Sequence, residues 1–190
     1  MRSYSQTKPE VFAVSPSDLR HHLRIDARED DQLLLRLELS ALAHIEDKIG
    51  AVLMSRTVTM SIDSFPIYEN IQLPVQPATA VASIVYRDEN GNDQTLDDSQ
   101  YHLNITGNFG EIAPAPGAQW PAVFEDKKSI TIKYRAGYES PNEVPEPIRL
   151  AVMLLVGHWY EHREASSSSN LRDIPIGVDS LIAPYRILKT

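Results

Sequence analysis

His158, Glu161 and His162 stand in the string His158-Trp159-Tyr160-Glu161-His162, two histidines four apart with a glutamate beside the second. On a helix, residues four apart share a face, so two imidazoles at this spacing can hold one zinc ion while the carboxylate handles a proton. This pattern expects an H-x-x-E-H metallopeptidase or another small metal-dependent hydrolase. Such a centre needs more than five residues: a third protein ligand, a water position and a substrate cleft. The chain has no cysteine, so a zinc site would rest on histidine and carboxylate alone, and neither a thiolate nucleophile nor a disulfide framework is possible.

A second reading of the string needs no metal. It closes an amphipathic helix, where Trp159 completes an apolar stripe and His162 and Arg163 suit the negative end of the helix dipole. Other combinations are weaker. His21 and His22 are adjacent, so their rings diverge by about 100° on a helix. Asp30 with Asp31, and Asp97 with Asp98, read as a helix start and a solvated turn rather than as paired acids. No G-x-S-x-G string or glycine-rich phosphate loop occurs. The sequence therefore predicts no catalytic residue, no metal ligand and no cofactor.

With 190 residues, 42% hydrophobic and 23% charged, the chain can bury the core of one medium domain. The start lacks an apolar leader-like run and no stretch of about 18 apolar residues follows, so the expectation is a soluble protein without membrane contact. A net charge of -8 argues against a surface made to grip nucleic acid. Any DNA close by should slide without sticking.

The elements come in three blocks. Residues 1–13 are polar and aperiodic, which predicts a mobile arm. Ser15, Pro16 and Asp18 then form a capping-box-like helix start. A longer helix runs to Gly50, with Leu34, Leu37, Ala41, Ile45 and Ile49 in an apolar row. Leu33, Leu35 and Leu42 widen that row beyond one contact, so Leu34, Leu37 and Ile45 are assigned to the core and Leu33, Leu35 and Leu42 to a subunit interface. From about residue 54 to 138 the period shortens to that of strands, with Asn90-Gly91 as a tight hairpin turn. These five to seven strands predict one small antiparallel sheet. The segment from Glu111 to Lys128, with Pro114, Pro116 and Pro121, reads as a surface loop. Pro145 and Pro147 reset the chain for a helix over 146–164, with Leu155 and Trp159 in its core face. Ser166–Ser169 form a linker, and a short helix near Val178–Ile182 precedes the final "PYRILKT". The fold class is α+β, a helical core with an inserted antiparallel sheet: one domain over 14–165, then linker, helix and tail over 166–190.

Taken in order, "LRIDAREDDQLLLRLELSALAHIEDKIG", "FPIYENIQLPVQPATAVASIVYRDENGNDQTLDDSQYHL", "GEIAPAPGAQWP", "ITIKYRAGY", "VPEPIRLAVMLLVGHWYEHRE" and "IPIGVDSLIAPYR" resemble the head-tail connector, or portal adaptor and head completion, family of tailed phages and prophages. The resemblance runs from about Val14 to Arg186. It implies a structural, non-enzymatic virion protein assembled in the bacterial cytoplasm. Such a protein forms a homo-oligomeric ring, twelvefold on the portal, which extends the DNA channel and carries a stopper or tail-completion protein. In the family, the position of His162 commonly holds another residue before Arg-Glu, so the zinc-like string is a helix motif with one histidine added. The resemblance also assigns Tyr185, Arg186, Ile187 and Leu188 to a portal or neighbour contact. A generic scaffold domain unrelated to virions is the remaining alternative.

Overall fold

The computed structural model describes residues 2–9, 11–26, 28–66, 70–107, 109–124, 126–162 and 176–187. The chain forms two compact units, Met1–Glu10 with Ser55–Gly137, and Val11–Met54 with Tyr138–Thr190. The single domain expected over 14–165 takes in parts of both units. Both units are discontinuous in sequence. The fold is α+β.

The first unit is all β. Strands β1 (Ser3–Gln6), β2 (Arg56–Ile62), β4 (Ala78–Arg87), β5 (Asp93–Thr95) and β8 (Ile130–Ala136) form an antiparallel sheet in the order β1-β2-β8-β4-β5. Strands β3 (Ile71–Gln72), β6 (Tyr101–Thr106) and β7 (Phe109–Pro114) form another in the order β3-β7-β6. The period-2 alternation buries Val58, Met60 and Ile62 of β2 and Ile130, Ile132 and Tyr134 of β8. Register aligns Met60, Ile132 and Ile84 across three strands. The β4–β5 hairpin turns where Asn90-Gly91 predicts it: Gly91 has φ 84°, and the Asp88 carboxylate accepts the amides of Asn90 and Asn92, both at 2.9 Å.

Two expectations fail here. One sheet becomes two, because Gln76 closes the second: its side-chain oxygen accepts the amides of Ala78 and Gly110, and its nitrogen donates to the carbonyls of Leu73 and Gly110. All four amide valences of this buried side chain are met, and Glu111–Pro114, expected in a loop, are drawn into β7. Residues 3–6, expected in a mobile arm, are strand β1. Their polar sequence carries no alternation; pairing with β2 and the bond from the Thr7 amide to the Thr57 carbonyl, 3.0 Å, hold them.

The second unit is helical: α1 (Pro16–Leu23), α2 (Asp31–Ile49), α3 (Glu146–Glu161) and α4 (Ile176–Ile182). The Ser15 hydroxyl caps α1 by accepting the Asp18 amide at 3.1 Å. Gly50 ends α2 in the left-handed region, φ 72°. Pro145 and Pro147 stand at the start of α3. Leu34, Ala41, Leu42 and Ile45 of α2 meet Ile148, Val152 and Leu155 of α3 in one core, which Val178 and Ile182 of α4 complete. Burial on this scale contributes roughly 1.5–3 kcal/mol per aliphatic side chain. The Ser166–Ser169 linker lies outside the described residues.

Candidate assembly surfaces

At the end of α3, His158 and His162 sit with ring centroids 4.6 Å apart. His162 Nδ1 lies 2.8 Å from the His158 carbonyl oxygen, so it must carry the proton and donate. That bond caps the helix and leaves only Nε2 of His162 for anything else. Among the described residues, no three His, Asp or Glu side chains gather to hold a metal. The string is built as a helix end.

On α2 the core-facing residues Leu34, Glu38, Ala41, Leu42, Ile45 and Ile49 are buried. At 100° per residue, Leu35 and Leu39 lie about 70° and 110° to one side of that row, and Leu37 and Leu33 about 90° and 130° to the other. Leu37 packs onto the core, whereas Leu33, Leu35 and Leu39 stand outside that packing. Leu33 and Leu35 are half-buried and Leu39 is 40% exposed. Leu42 differs from expectation: at 2% exposure it belongs to the subunit's own core and is unavailable to a neighbour. Sequence reasoning placed it by counting the width of the stripe, which cannot tell the second core row from an outer flank.

Leu155 is fully buried, while Trp159 is half-buried at the core margin and meets the edge of His44, centroids 6.4 Å apart. Tyr160 donates its hydroxyl proton to Asp30, tying the end of α3 to the start of α2.

After α4 the chain makes a short turn, Ala183–Tyr185. The Ile187 amide then donates to the Ile49 carbonyl at 2.7 Å. Tyr185 packs on the helical core, and Arg186 reaches Asp179 at 3.0 Å. The expected contact segment is thus fastened to its own subunit through Ile187, and the Tyr185 ring faces inward. Arg186 stays exposed; Leu188 lies outside the described residues.

One polar side chain escaped the sequence reading. Glu38 is fully buried on α2, where its carboxylate accepts the Ala13 amide at 2.9 Å and its second oxygen has no hydrogen-bond partner among the described residues. Burial pushes its pKa up to about 7; the Ala13 and Val14 amides oppose that shift, and Glu46 adds to it. A glutamate in phase with leucines was the available signal.

The fold is thus an α+β one in which a β unit and a helical unit are built from alternating parts of the chain. The chain matches the family model for Head completion protein over residues 14–187 and belongs to that family. The resemblance drawn from the sequence holds. Two similar solved structures are the "Neck of empty GTA particle computed with C6 symmetry", 23% identical, TM-score 0.77, covering 100% of this chain and 97% of that one, and the "Neck of native GTA particle computed with C12 symmetry", 23% identical, TM-score 0.74, with the same coverage. A third, "Virion of native gene transfer agent (GTA) particle", is 24% identical with a TM-score of 0.76, covering 97% of this chain and 96% of that one. At these identities the likeness is one of fold. No curated protein matches the chain.

Proposed function

We propose that the protein is a structural connector of a phage-type particle, placed at the head-tail junction, where copies close into a ring that carries the DNA channel on from the portal and supports a stopper or tail-completion protein. The observation that carries this reading is the family match over 14–187, which takes in both the β unit and the helical unit. The neck structures of like fold, resolved with sixfold and twelvefold symmetry, support a ring.

In a closed ring every subunit gives two different faces to its two neighbours. The half-buried Leu33 on one flank of α2 and Leu35 with Leu39 on the other fit that requirement. Arg186, exposed beside the Ile187 anchor, is assigned to the portal contact. The negative net charge favours passage of DNA without adhesion. No reaction is assigned to the protein: the hydrolase reading of His158, Glu161 and His162 is not favoured, since no third histidine or carboxylate joins them to hold a metal among the described residues.

The test is deletion of the gene from its phage or prophage. The expected result is DNA-filled heads that lack tails and are rescued by the wild-type protein in trans. Normal tailed particles from the deletion would overturn the reading. The portal and major capsid genes should lie beside the gene.

A further inference from the structure

The five-stranded sheet ends in two strand edges of opposite charge. At one end is β1, flanked by Arg2 and Lys8 with no acid among residues 2–8; at the other is β5, within a stretch from 88 to 98 that holds Asp88, Glu89, Asp93, Asp97 and Asp98 and no cation. The backbone phase of each edge follows from printed bonds. In an antiparallel ladder the bonded pairs recur every second residue. The Thr7 amide bonds the Thr57 carbonyl, so Ser5 and Ser3 face β2, and Tyr4 and Gln6 turn their amides and carbonyls outward. The Leu96 amide bonds the Ile84 carbonyl and the Asp88 amide bonds the Asn92 carbonyl, so Gln94 faces β4, and Asp93 and Thr95 turn outward. Each edge therefore offers two outward residues at the same spacing. The side chains of Asp93, Gln94 and Thr95 are all exposed, as are those of Tyr4, Ser5 and Gln6.

We infer that β1 of one subunit adds to the β5 edge of a second copy, so that neighbouring subunits in the ring share a continued sheet. Three pairings of these edges are conceivable, and charge separates them. Two β1 edges bring Arg2 and Lys8 of each copy together, and two β5 edges bring acid against acid. Like charges across an edge discourage pairing. Only β1 against β5 joins opposite charges, and that is the heterologous kind of contact from which rings close. The inference rests on the ring reading above and names one of its interfaces.

The absence of cysteine from the chain allows a direct test. Single variants Gln6→Cys and Thr95→Cys, and the doubles Gln6→Cys/Thr95→Cys and Tyr4→Cys/Thr95→Cys, place thiols on exposed edges. The concentrated full-length proteins are oxidised mildly and run without reductant, and native mass spectrometry of wild type records its oligomeric state. The expected result is a ladder from dimer upward with at least one double variant, dimers when the two single variants are mixed, and none from either alone. Adding Lys8→Glu to the double variant should reduce the ladder severalfold at low salt. Cross-linking of a single variant with itself, or no ladder from either double, overturns the inference. Rings by mass spectrometry without the ladder would reject this interface and keep the ring; monomers alone without a ladder would reject both.

Discussion

At the scale of single residues, the buried Glu38 is the group whose chemistry reaches furthest. Its ordinary pKa is 4.5 and its folded pKa about 7, so between those values the folded protein holds a proton that the unfolded chain has released. Stability from this group is full below about pH 4.5 and falls as pH rises through 7, by about 3 kcal/mol for a shift of that size. Glu38→Gln keeps an oxygen for the Ala13 amide and removes the titration. Denaturant titrations from pH 5 to 8 should show wild type losing stability relative to the variant as pH rises; parallel curves would rule the effect out. The same residue shows what a string of letters conceals. Glu38 stands in phase with Leu34, Ala41 and Ile45, and the passage of Ala13 and Val14 over α2 makes it a buried acceptor. His158 and His162 are the converse: letters that spell a metal site become, in place, a ring nitrogen closing a helix.

At the scale of elements, α2 carries more apolar surface than its core requires. Leu33→Asp with Leu39→Asp should leave the circular dichroism and melting temperature within a few degrees of wild type, since both side chains lie outside the core packing, while native mass spectrometry shows loss of the ring. Retention of the ring in the double variant would place the neighbour contact elsewhere. Most of the helical elements were legible beforehand because their ends are written in local chemistry: Ser15 before Pro16, Gly50 after Ile49, Pro145 and Pro147 before the α3 stripe. The hairpin at Asn90-Gly91 was legible for the same reason. What was not legible depended on distant partners. β1 is polar and exists because β2 lies beside it; β7 reaches Pro114 because Gln76, over thirty residues earlier, bonds both sides of Gly110. Tyr185, Ile187 and Leu188, apolar at a terminus, read as a segment that docks on a portal or neighbour, yet Ile187 is bonded to Ile49 of its own chain. A side chain added at Gly50 would stand 3.2 Å from the Ile187 carbonyl oxygen, a measure of how closely that segment is seated.

At the scale of the whole molecule, each unit owns one of the two tryptophans: Trp120 in the β unit, stacked on Phe65 with centroids 4.8 Å apart, and Trp159 in the helical unit. They are separate reporters. Leu155→Ala empties a fully buried site and should cost about 2–5 kcal/mol, read as an earlier denaturant midpoint by Trp159 fluorescence in a Trp120→Phe background. An unchanged midpoint would mean that the α2–α3 core is not what holds that tryptophan.

The interleaving of the two units sets an order on synthesis. All strands of the β unit have been synthesised once Ala136 is made, and β1 is made before the rest of them. α1 and α2 emerge before most of the strands, yet their leucines have no α3 to bury against until residues 146–161 appear. For the time needed to translate about a hundred residues, an amphipathic helix with a surplus of leucine stands exposed in a cell where other copies are being made. A contact between two such nascent helices would put core residues such as Leu42 where only the flanks should meet. The arrival of α3 and α4 is therefore also the step that covers the core row of α2 and takes residues such as Leu42 out of reach.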